Sequence, residues 1–518
     1  MTTANNTMNN TTDILNLSVV ELRDAVAAGA VSAQQAVRAY LDTIATRDGG
    51  VGAYLEVFVE RSLERAAAVD AARAAGKPLG TLAGVPLAVA DNLCTEFGHT
   101  TCASKSLANF RSPYSATAVA KWEAAGAIVL GKTNLDEFGM GSSTESSHVK
   151  PTRNPWDVSR VPGGACGGSA AAVAGRMAAA ALGGDTGGSV RQPAAFCGLV
   201  GLKPTYGRVS RFGLTEHGSS LDQVGPMTRD VADAALLLSV MAGHDANDAT
   251  SAPRPVDDYL AALDQPLPGL RVGLPREFLD QARDAGVLDA EIHAALQQAS
   301  DAYQAAGATL VDISLPHSRI EKSADGGLAS YAVAAYYIIA MAEASSNLAR
   351  FDGMHFGHRT DKPCRDIHEL YSKNRAEGFG DEVKRRIILG TYLLTGDLYD
   401  AYFTKALQTR RLITNDFDRA FANCDVLLCP TTPTTPFAFG EHATPLAMYQ
   451  QDLFTVSASL AGLPCVSIPA GLARAGLPIG MQLVAPAFGE SMLLRAARMV
   501  EKLVPFTPPS SAWPSGPR

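Results

Sequence analysis

The sequence predicts an α/β fold in which helices cover a β-sheet. Apolar runs of strand length alternate with segments of helical periodicity, as where a helical pattern over Thr117–Ala124 is followed by an apolar run at 126–130. Hydrophobic residues make up 47% of the 518 residues and charged residues only 19%, a composition typical of a globular protein with a large core. Glycine-rich chains of this length can form one continuous sheet, so we expect a single domain.

Two capping boxes predict the first two helices. Ser18 is followed three residues later by Glu21, and Ser32 by Gln35, so each serine can cap the helix that starts after it. The preceding residues 1–12 are polar and of low complexity, which predicts a disordered N-terminus. They lack the basic and apolar regions of a signal peptide, and no apolar run in the chain reaches membrane-spanning length. We therefore expect a cytoplasmic protein without membrane contact.

The rest of the chain continues the alternation. Further strands are predicted at 82–89, 270–274, 309–315, 465–469 and 480–484, with another at 424–436 that runs into a Pro/Thr-rich loop. Further helices are predicted at 231–241, 286–306 and 491–502. Residues 320–420 form a mainly helical insertion whose tyrosines are expected, for the most part, to pack between helices: Tyr331, Tyr336, Tyr337, Tyr392, Tyr399 and Tyr402. With a proline-rich flexible tail at 505–518, the prediction is one domain over 13–504.

Two glycine-rich loops, at 163–169 and 183–189, stand on either side of an alanine-rich run that predicts a connecting helix. Glycine indicates backbone that takes unusual dihedrals or approaches another group closely. Successive Gly-Gly-Ser N–H groups can form a concave nest for a developing negative charge. Ser189, at the end of the second loop, is placed like a nucleophile beside its own oxyanion hole. The alternative is a glycine-rich turn that packs against a close helix.

The motifs around these loops closely resemble the amidase signature family. They read GG-x-x-GGS, DTGGS-x-RQPAAFCG and GLKPT, and they are accompanied by GVPLAVADN, GKTNLDEFGMGSSTE, SSLDQVGP and CPTTPTTP. Within that family they are most similar to the A (glutaminase) subunit of the Glu-tRNA(Gln)/Asp-tRNA(Asn) amidotransferase, from the N-terminal helices to about Glu501. The resemblance implies an amidase-signature fold with a large mixed sheet covered by helices on both faces.

The resemblance also implies a reaction and partners. The family's A subunit hydrolyses glutamine and passes ammonia to a B subunit that amidates Glu-tRNA(Gln) or Asp-tRNA(Asn), and a C subunit completes the heterotrimer. ATP and Mg²⁺ act on the B subunit, so no cofactor is expected in this chain. The net charge of −8 argues against a nucleic-acid-binding face, and tRNA contact is expected mainly through the B subunit. The eight cysteines include no C-x-x-C pair, which argues against a metal site and for reduced thiols.

By resemblance, Ser189 is the acyl-ester nucleophile. The oxyanion hole is then the backbone of Thr186, Gly187, Gly188 and Ser189. Asp185 and Arg191 stand next to this loop in sequence, and we expect an ion pair between them to hold its shape.

Two groups of the family's catalytic triad are missing. The family uses a neutral Lys that acts through a bridging Ser, which we expect to precede a cis peptide bond. The Lys position holds Ala90 and the bridging position holds Ala165, while Cys166 replaces a neighbouring family serine. Serine is a weak nucleophile until a base removes its proton. We therefore expect catalysis to be crippled.

Other residues could in principle replace the missing base. Lys132, Lys203 and Lys105 lie in framework motifs, which favours structural roles. The Cys166 thiol is a better nucleophile than a hydroxyl, but it stands one residue beyond the bridging position.

Substrate recognition looks preserved. The family binds the α-carboxylate and α-amino groups of glutamine with a Tyr, an Arg and an Asp, and the matching positions here are Tyr336, Arg386 and Asp452. An Arg suits a carboxylate and an Asp suits an ammonium group. The alternative for these residues is ordinary charge on helix surfaces.

Three functions therefore stay open: a glutaminase subunit with crippled catalysis, a pseudoenzyme scaffold that binds B and C subunits, and a stand-alone amidase for another small amide.

Overall fold

The computed structural model describes residues 11–322, 328–442 and 444–508. The helices are α1 (Thr11–Asn16), α2 (Val19–Ala28), α3 (Ala33–Val51), α4 (Val59–Ala74), α5 (Thr117–Ala124), α6 (Gly167–Ala174), α7 (Arg191–Phe196), α8 (Val231–Met241), α9 (Asp280–Asp284), α10 (Ala290–Ala305), α11 (Tyr331–Asn347), α12 (Ile367–Gly378), α13 (Asp381–Leu393), α14 (Gly396–Leu398), α15 (Lys405–Phe421), α16 (Pro445–Tyr449), α17 (Val456–Leu460) and α18 (Glu490–Leu503). The strands are β1 (Tyr54–Val57), β2 (Pro86–Ala90), β3 (Ile128–Thr133), β4 (Ala180–Asp185), β5 (Val200–Lys203), β6 (Gln223–Thr228), β7 (Arg271–Pro275), β8 (Thr309–Ile313), β9 (Ile320–Lys322), β10 (Leu328–Ser330), β11 (Val426–Pro430), β12 (Cys465–Leu472) and β13 (Pro478–Val484).

Eleven of the strands form one mixed sheet in the order β1-β3-β2-β4-β6-β5-β12-β13-β11-β7-β8. The pairs of β2 with β3 and β4 are parallel, as are those of β7 with β8 and β11. Helices cover both faces, where α6 and α7 form one contacting group and α8, α10 and α18 another. The predicted α/β fold with a large mixed sheet is confirmed.

Both capping boxes are present. Ser18 and Ser32 accept hydrogen bonds from the backbone of Glu21 and Gln35, whose side chains accept in return from the two serine N–H groups. Such reciprocal bonds satisfy donors that a helix N-terminus otherwise leaves unpaired. The predicted disorder extends too far, because Thr11 and Thr12 already belong to α1, where Ile14 and Leu15 are buried. Residues 1–10 lie outside the described part of the chain.

The predicted helix between the two glycine-rich loops is wrong in its second half. Helix α6 ends at Ala174, Arg176 takes a left-handed conformation, and residues 180–185 form β4. β4 lies between β2 and β6 and is buried along its whole length, and at its glycines the neighbouring side chains approach closely. A Cβ on Gly183, for example, would lie 3.0 Å from Cys166 Sγ. Burial therefore overrides the helix propensity of alanine.

Other predicted elements differ at their ends. The strand predicted at 82–89 begins only at Pro86, after a turn. The strand predicted at 424–436 is limited to Val426–Pro430, and the helix predicted at 286–306 starts at Ala290 because Asp289 caps it there. In the tail, Phe506 packs against Trp156 with ring centroids 6.0 Å apart, and residues 509–518 lie outside the described part of the chain.

The region 320–420 is mainly helical, as predicted, but a short hairpin of β9 and β10 precedes its helices. The prediction that most of its tyrosines pack between helices is wrong. Four of the six are exposed, and only two on α11 are buried. The exposed four are Tyr331, Tyr392, Tyr399 and Tyr402. Tyr399 and Tyr402 lie in the segment Tyr399–Thr404, which buries no residue, and Tyr331 begins the helix that buries Tyr336 and Tyr337. Aromatic content therefore did not indicate which residues are inside.

Helix α13 is fixed to the body of the protein at its N-terminus. Glu137 Oε2 accepts a hydrogen bond from the Gly380 N–H at 2.8 Å, and a separate apolar cluster joins Phe138, Phe351 and Phe379 beside it. A carboxylate is favourable at a helix N-terminus, where backbone N–H groups lack partners.

Across the described ranges, no helix combines the length and apolar character that crossing a bilayer requires.

Candidate active site around the Thr186–Ser189 loop

Strand β4 ends at Asp185, and the chain then turns through residues 186–189 before α7 begins. Gly188 has φ +138°, and a Cβ there would lie 2.6 Å from Thr455 Oγ1. A Cβ on Gly187 would lie 2.4 Å from the Tyr336 hydroxyl oxygen. The loop therefore requires glycine at both positions. Within the described residues, the N–H groups of Thr186, Gly187, Gly188 and Ser189 donate to no protein acceptor. Such groups can stabilise an anionic oxygen.

The Asp185–Arg191 ion pair is present, and both side chains are fully buried. Arg191 Nη2 lies 2.9 Å from Asp185 Oδ1, and Nη1 donates to Gln482 Oε1 at 2.6 Å and to the Thr455 carbonyl at 3.1 Å. Burial opposes ionisation of Asp185, but the charge and hydrogen bonds of Arg191 hold the pKa of this carboxyl below its usual value. The pair thus joins the loop to the segment that follows Asp452.

Ser189 is half-buried, and its carbonyl accepts a hydrogen bond from the Cys166 N–H at 3.2 Å. This bond places the start of α6 directly beside the loop. Among the described residues, the Ser189 hydroxyl has no hydrogen-bond partner, so no group in that part of the chain is in position to accept its proton.

The two substituted positions are both buried. Ala90 is the last residue of β2 and follows the Val89–Leu182 pair that β2 forms with β4. Because β2 and β4 are parallel neighbours, their carboxyl ends point the same way, and Ala90 lies at the same end of the strands as Asp185 at the end of β4. Ala165 precedes Cys166, and its carbonyl accepts from Asp136 N–H at 3.0 Å. The sequence predicts a cis peptide bond after position 165, and this prediction is wrong. The cis peptide bond joins Gly164 to Ala165 and so comes before this residue.

The candidate replacement lysines occupy other positions. Lys132 Nζ lies 3.0 Å from Asp91 Oδ1 and donates to the carbonyls of Leu93 and His99. Lys132 and Asp91 therefore form a buried structural ion pair. Lys203 donates to the Pro204 carbonyl at 2.9 Å, and Lys105 begins the short 3₁₀-helix Lys105–Leu107. Burial lowers the pKa of Lys203, but its described hydrogen bond is to that carbonyl and not to Ser189.

Cys166 is also held away from catalysis. Its thiol points at β4 and donates to the Gly184 carbonyl with Sγ 3.4 Å from the oxygen. Burial raises the pKa of the thiol to about 12, so it is protonated at neutral pH. A thiol in this state is a weak nucleophile and a weak base.

The structure brings Tyr336, Arg386 and Asp452 to one wall beside the loop. Tyr336 on α11 places its hydroxyl against Gly187. It lies edge to face with Tyr337, over which the Arg386 guanidinium stacks at 5.3 Å. The Tyr337 hydroxyl in turn donates to Asp452 Oδ2 at 2.6 Å. These residues are buried, so the surface-charge interpretation of Arg386 and Asp452 is excluded.

The charged side chains of this wall are one guanidinium, Arg386, and two carboxyl groups, Glu382 and Asp452. Arg386 is buried, and its Nε donates to Glu382 Oε1 at 2.8 Å. Burial raises the pKa of Asp452 to about 6, although Tyr337 and Ser142 donate to it and Arg386 favours its ionised form. At neutral pH, the wall therefore presents an acceptor for an ammonium group and a donor for a carboxylate.

Sequence reasoning missed several side chains that build this wall. Tyr337 stood in the set assigned to packing, and nothing in the pattern distinguished it from Tyr336. The other missed residues are Ser142 (Oγ 3.0 Å from Asp452 Oδ1), Glu382, Tyr449 and Thr455. Thr455 donates to the Gly187 carbonyl, while its own N–H donates to the Asp452 carbonyl at 3.1 Å. The only sequence signal for Thr455 is that it stands three residues after Asp452, one of the predicted binding residues.

Two cavities open on either side of the wall. One, of about 350 Å³, is lined by Arg386, Glu382 and Tyr449, and the other, of about 580 Å³, by Tyr337, Tyr449 and Tyr331. Neither lining includes Tyr336, Asp452 or a residue of the 186–189 loop. In the described part of the chain, no group of histidine, cysteine and carboxylate side chains could hold a metal ion, and all eight cysteines are free.

A mixed α/β sheet with a Gly-Gly-Ser loop at the end of a central strand is the arrangement of an amidase-type protein. The chain belongs to the amidase family, whose model matches residues 35–494. It is 52% identical over 487 residues to the A subunit of glutamyl-tRNA(Gln) amidotransferase from Moorella thermoacetica, covering 94% of this chain and 96% of that one. It is 50% identical over 483 residues to the corresponding protein of Heliobacterium modesticaldum, covering 93% and 96%.

The solved structures agree. The crystal structure of the glutamyl-tRNA(Gln) amidotransferase A subunit from Thermotoga maritima matches with a TM-score of 0.75 and 38% identity, covering 99% of this chain and 98% of that one. The family and fold are therefore shown, while the roles of Ser189, of the oxyanion-hole residues and of the substrate-binding residues stay predictions.

Proposed function

We propose that this protein is an A-type subunit of a tRNA-dependent amidotransferase that binds glutamine but hydrolyses it poorly. The observation that carries the proposal is the wall formed by Tyr336, Arg386 and Asp452 against the Thr186–Ser189 loop. One buried cation and one buried carboxylate suit the α-carboxylate and α-ammonium groups of a free amino acid. A side-chain amide could then reach the loop's N–H groups.

The loss of hydrolysis follows from the two alanines. Deacylation and acylation both need a group that carries a proton to and from Ser189. Methyl groups at Ala90 and Ala165 cannot do this, and Lys132, Lys203 and Cys166 have other hydrogen-bond partners. Loss of a positioned base costs about 10²–10⁴-fold in rate, and loss of groups that act as a unit costs up to about 10⁶-fold. The oxyanion loop alone can retain roughly 10³-fold over water.

The partners follow from the relatives. Proteins about half identical to this chain are named as subunits of an amidotransferase, which supports assembly with B and C subunits in the cytoplasm. In such a complex, ATP and Mg²⁺ would be used by the B subunit, which would also make most of the tRNA contacts. Ammonia from another source could supply the complex when this chain cannot release it from glutamine.

The test has two arms on the full-length protein. Titration calorimetry with L-glutamine should show binding to the unaltered chain, and ammonia release should stay near background. The double variant Ala90→Lys/Ala165→Ser should then release ammonia from glutamine, and adding Ser189→Ala to it should abolish that release. Absence of glutamine binding, or brisk hydrolysis by the unaltered chain, would each contradict the proposal. Failure to co-purify with B and C subunits would contradict the assignment of partners.

A further inference from the structure

Glu382 is the acceptor that the protein provides for the buried Arg386 guanidinium. Its Oε1 accepts a hydrogen bond from Arg386 Nε at 2.8 Å, and the two residues stand four apart on α13, a spacing that places side chains next to each other. In the described part of the chain, Arg386 Nη1 and Nη2 donate to no protein acceptor. Because Arg386 is only 3% exposed and lines the cavity of about 350 Å³, these two nitrogens are the donors that remain for a ligand.

Glu382 is itself fixed from a second segment of the chain. The hydroxyl of Tyr449, at the end of α16, donates to the same Oε1 at 2.9 Å. The ring of Tyr449 stacks on that of Tyr337, with 3.9 Å between the centroids. The carboxyl group is therefore held between α13 and α16, and its position does not depend on Arg386 alone.

The charge of Glu382 is shared between two cations. Its Oε2 pairs with Arg385, so one carboxylate lies between two guanidinium groups and neutralises Arg386 only in part. Burial opposes ionisation of Glu382, but the charge of Arg386 and the hydrogen bond from it hold the pKa of this carboxyl below its usual value. Glu382 is therefore ionised at neutral pH, and an ionised carboxylate only accepts hydrogen bonds.

The bond at Nε determines where the rest of the guanidinium points. The group is planar and carries its five N–H donors in a rigid fork, so the directions of the N–H bonds on Nη1 and Nη2 follow from that at Nε. The guanidinium carbon also lies 5.3 Å from the Tyr337 ring centroid and 5.4 Å from that of Tyr449. Without these contacts, the long arginine side chain would lose more rotational freedom when a ligand binds.

We propose that Glu382 is a positioning residue that orients Arg386 so that Nη1 and Nη2 bind the α-carboxylate of a free amino acid. This rests on the proposed function, because it specifies how the same site recognises its ligand. A carboxylate accepts two parallel N–H bonds from one guanidinium, and this geometry requires the fork to face it. Orientation by Glu382 therefore favours ligands that have a carboxylate over ligands that lack one.

The experiment compares two ligands on variants of the full-length protein by ligand-observed NMR. The ligands are L-glutamine and 4-aminobutanamide, which is glutamine without its α-carboxylate. Glu382→Ala removes the acceptor, whereas Glu382→Gln retains an acceptor oxygen without the charge. Glu369→Ala is the matched control, because Glu369 on α12 is similarly buried and also pairs with two cations, Arg365 and Lys373. Thermal unfolding of each variant checks that the fold is retained.

The expected result is a loss for one ligand only. Glu382→Ala should weaken L-glutamine binding about tenfold, the effect of losing one hydrogen bond to a charged group, and leave 4-aminobutanamide binding unchanged. Glu382→Gln should recover most of the loss, because its amide oxygen can accept from Arg386 Nε. Glu369→Ala should change neither affinity. If Glu382→Ala does not fold, Tyr449→Phe, which removes only the second donor to Glu382, should weaken L-glutamine binding alone by about two- to threefold.

Equal losses for both ligands, no loss for either, or a loss in Glu382→Gln as large as in Glu382→Ala would overturn the positioning role while leaving the proposed function intact. Tighter L-glutamine binding by Glu382→Ala would overturn it as well, because Glu382 would then compete with the ligand for Arg386. If the unaltered chain does not bind 4-aminobutanamide, the order of the L-glutamine affinities decides. An unaltered chain that does not bind L-glutamine would overturn both the positioning role and the proposed function.

Discussion

Two regions meet at the Thr186–Ser189 loop, and they differ in chemistry. The wall on α11, α13 and the Asp452 segment is polar and charged: Arg386 is paired with Glu382, and Asp452 accepts hydrogen bonds from the hydroxyls of Tyr337 and Ser142. The opposite side, where β2 ends and α6 begins, presents Ala90, Ala165 and the protonated thiol of Cys166. The first region has what binding needs, and the second lacks what proton transfer needs.

Under the proposed function, recognition belongs to the first region and proton transfer to the second. Both regions are fixed to the same loop, one through Thr455 and Gly187 and the other through Cys166 and Ser189. The three small side chains of the second region, at Ala90, Ala165 and Cys166, are buried, and the Cys166 N–H donates to the Ser189 carbonyl. The scaffold depends on buried backbone contacts, whereas proton transfer depends on a few side-chain atoms at its surface.

The largest effect is expected on the catalytic side, where the missing groups act as a unit. Ala90→Lys alone and Ala165→Ser alone should each leave ammonia release from glutamine near background, because a lysine without its relay cannot reach the nucleophile. Together they should raise the rate by at least about 10³-fold. Rates are measured by coupled ammonia assay. A single substitution that gives most of the gain would show that the two positions do not cooperate.

Next in size is the ion pair on which both regions depend. Asp185→Ala leaves the fully buried Arg191 charge without its partner and should lower the free energy of unfolding by about 3–5 kcal/mol, measured by urea denaturation. Asp284→Ala is the matched control, because the Arg283–Asp284 pair is exposed and its loss should cost less than about 1 kcal/mol. Similar losses for the two variants would mean that Asp185 is not essential for the loop.

On the binding side, Asp452→Asn should weaken L-glutamine binding by about 10- to 100-fold, because it removes the charge that faces the ammonium group. The fold should be retained, since the amide oxygen can accept from one of the two hydroxyls of Tyr337 and Ser142, and the other hydroxyl can rotate to accept from the amide N–H. Calorimetry and thermal unfolding together measure the two effects. Ser142→Ala, which removes one neutral donor to the same carboxylate, should have a smaller effect. The reverse order would argue that Asp452 acts only as a structural acceptor.

The smallest predicted effect is a pH dependence of glutamine binding. The pKa of Asp452 is about 6 in the free protein, so the carboxylate is ionised above that pH and protonated below it. Binding should be nearly constant from pH 7 to 8 and weaken about tenfold by pH 5, where only about a tenth of the groups is ionised. Asp452→Asn should remove this dependence. A profile that is unchanged in that variant would assign the titration to another group.

Much of the architecture was predictable from local pattern. The two capping boxes begin α2 and α3, and the helical periodicities over Thr117–Ala124 and Val231–Met241 match α5 and α8 at both ends. These elements are amphipathic or capped, so their identity is determined within a few neighbouring residues. The alanine-rich run failed because its second half is buried on both faces in the centre of the sheet. No local pattern reports that environment.

What the sequence determined by itself is the family, the glycine loop with its terminal Ser189, and the absence of polar side-chain atoms at Ala90 and Ala165, because these depend on residue type and spacing alone. Only the tertiary structure decided that the Tyr337 hydroxyl donates to Asp452 and that the Thr455 hydroxyl donates to the Gly187 carbonyl. The physical reason is range: these contacts join segments more than 100 residues apart or depend on complete burial, which no periodicity encodes.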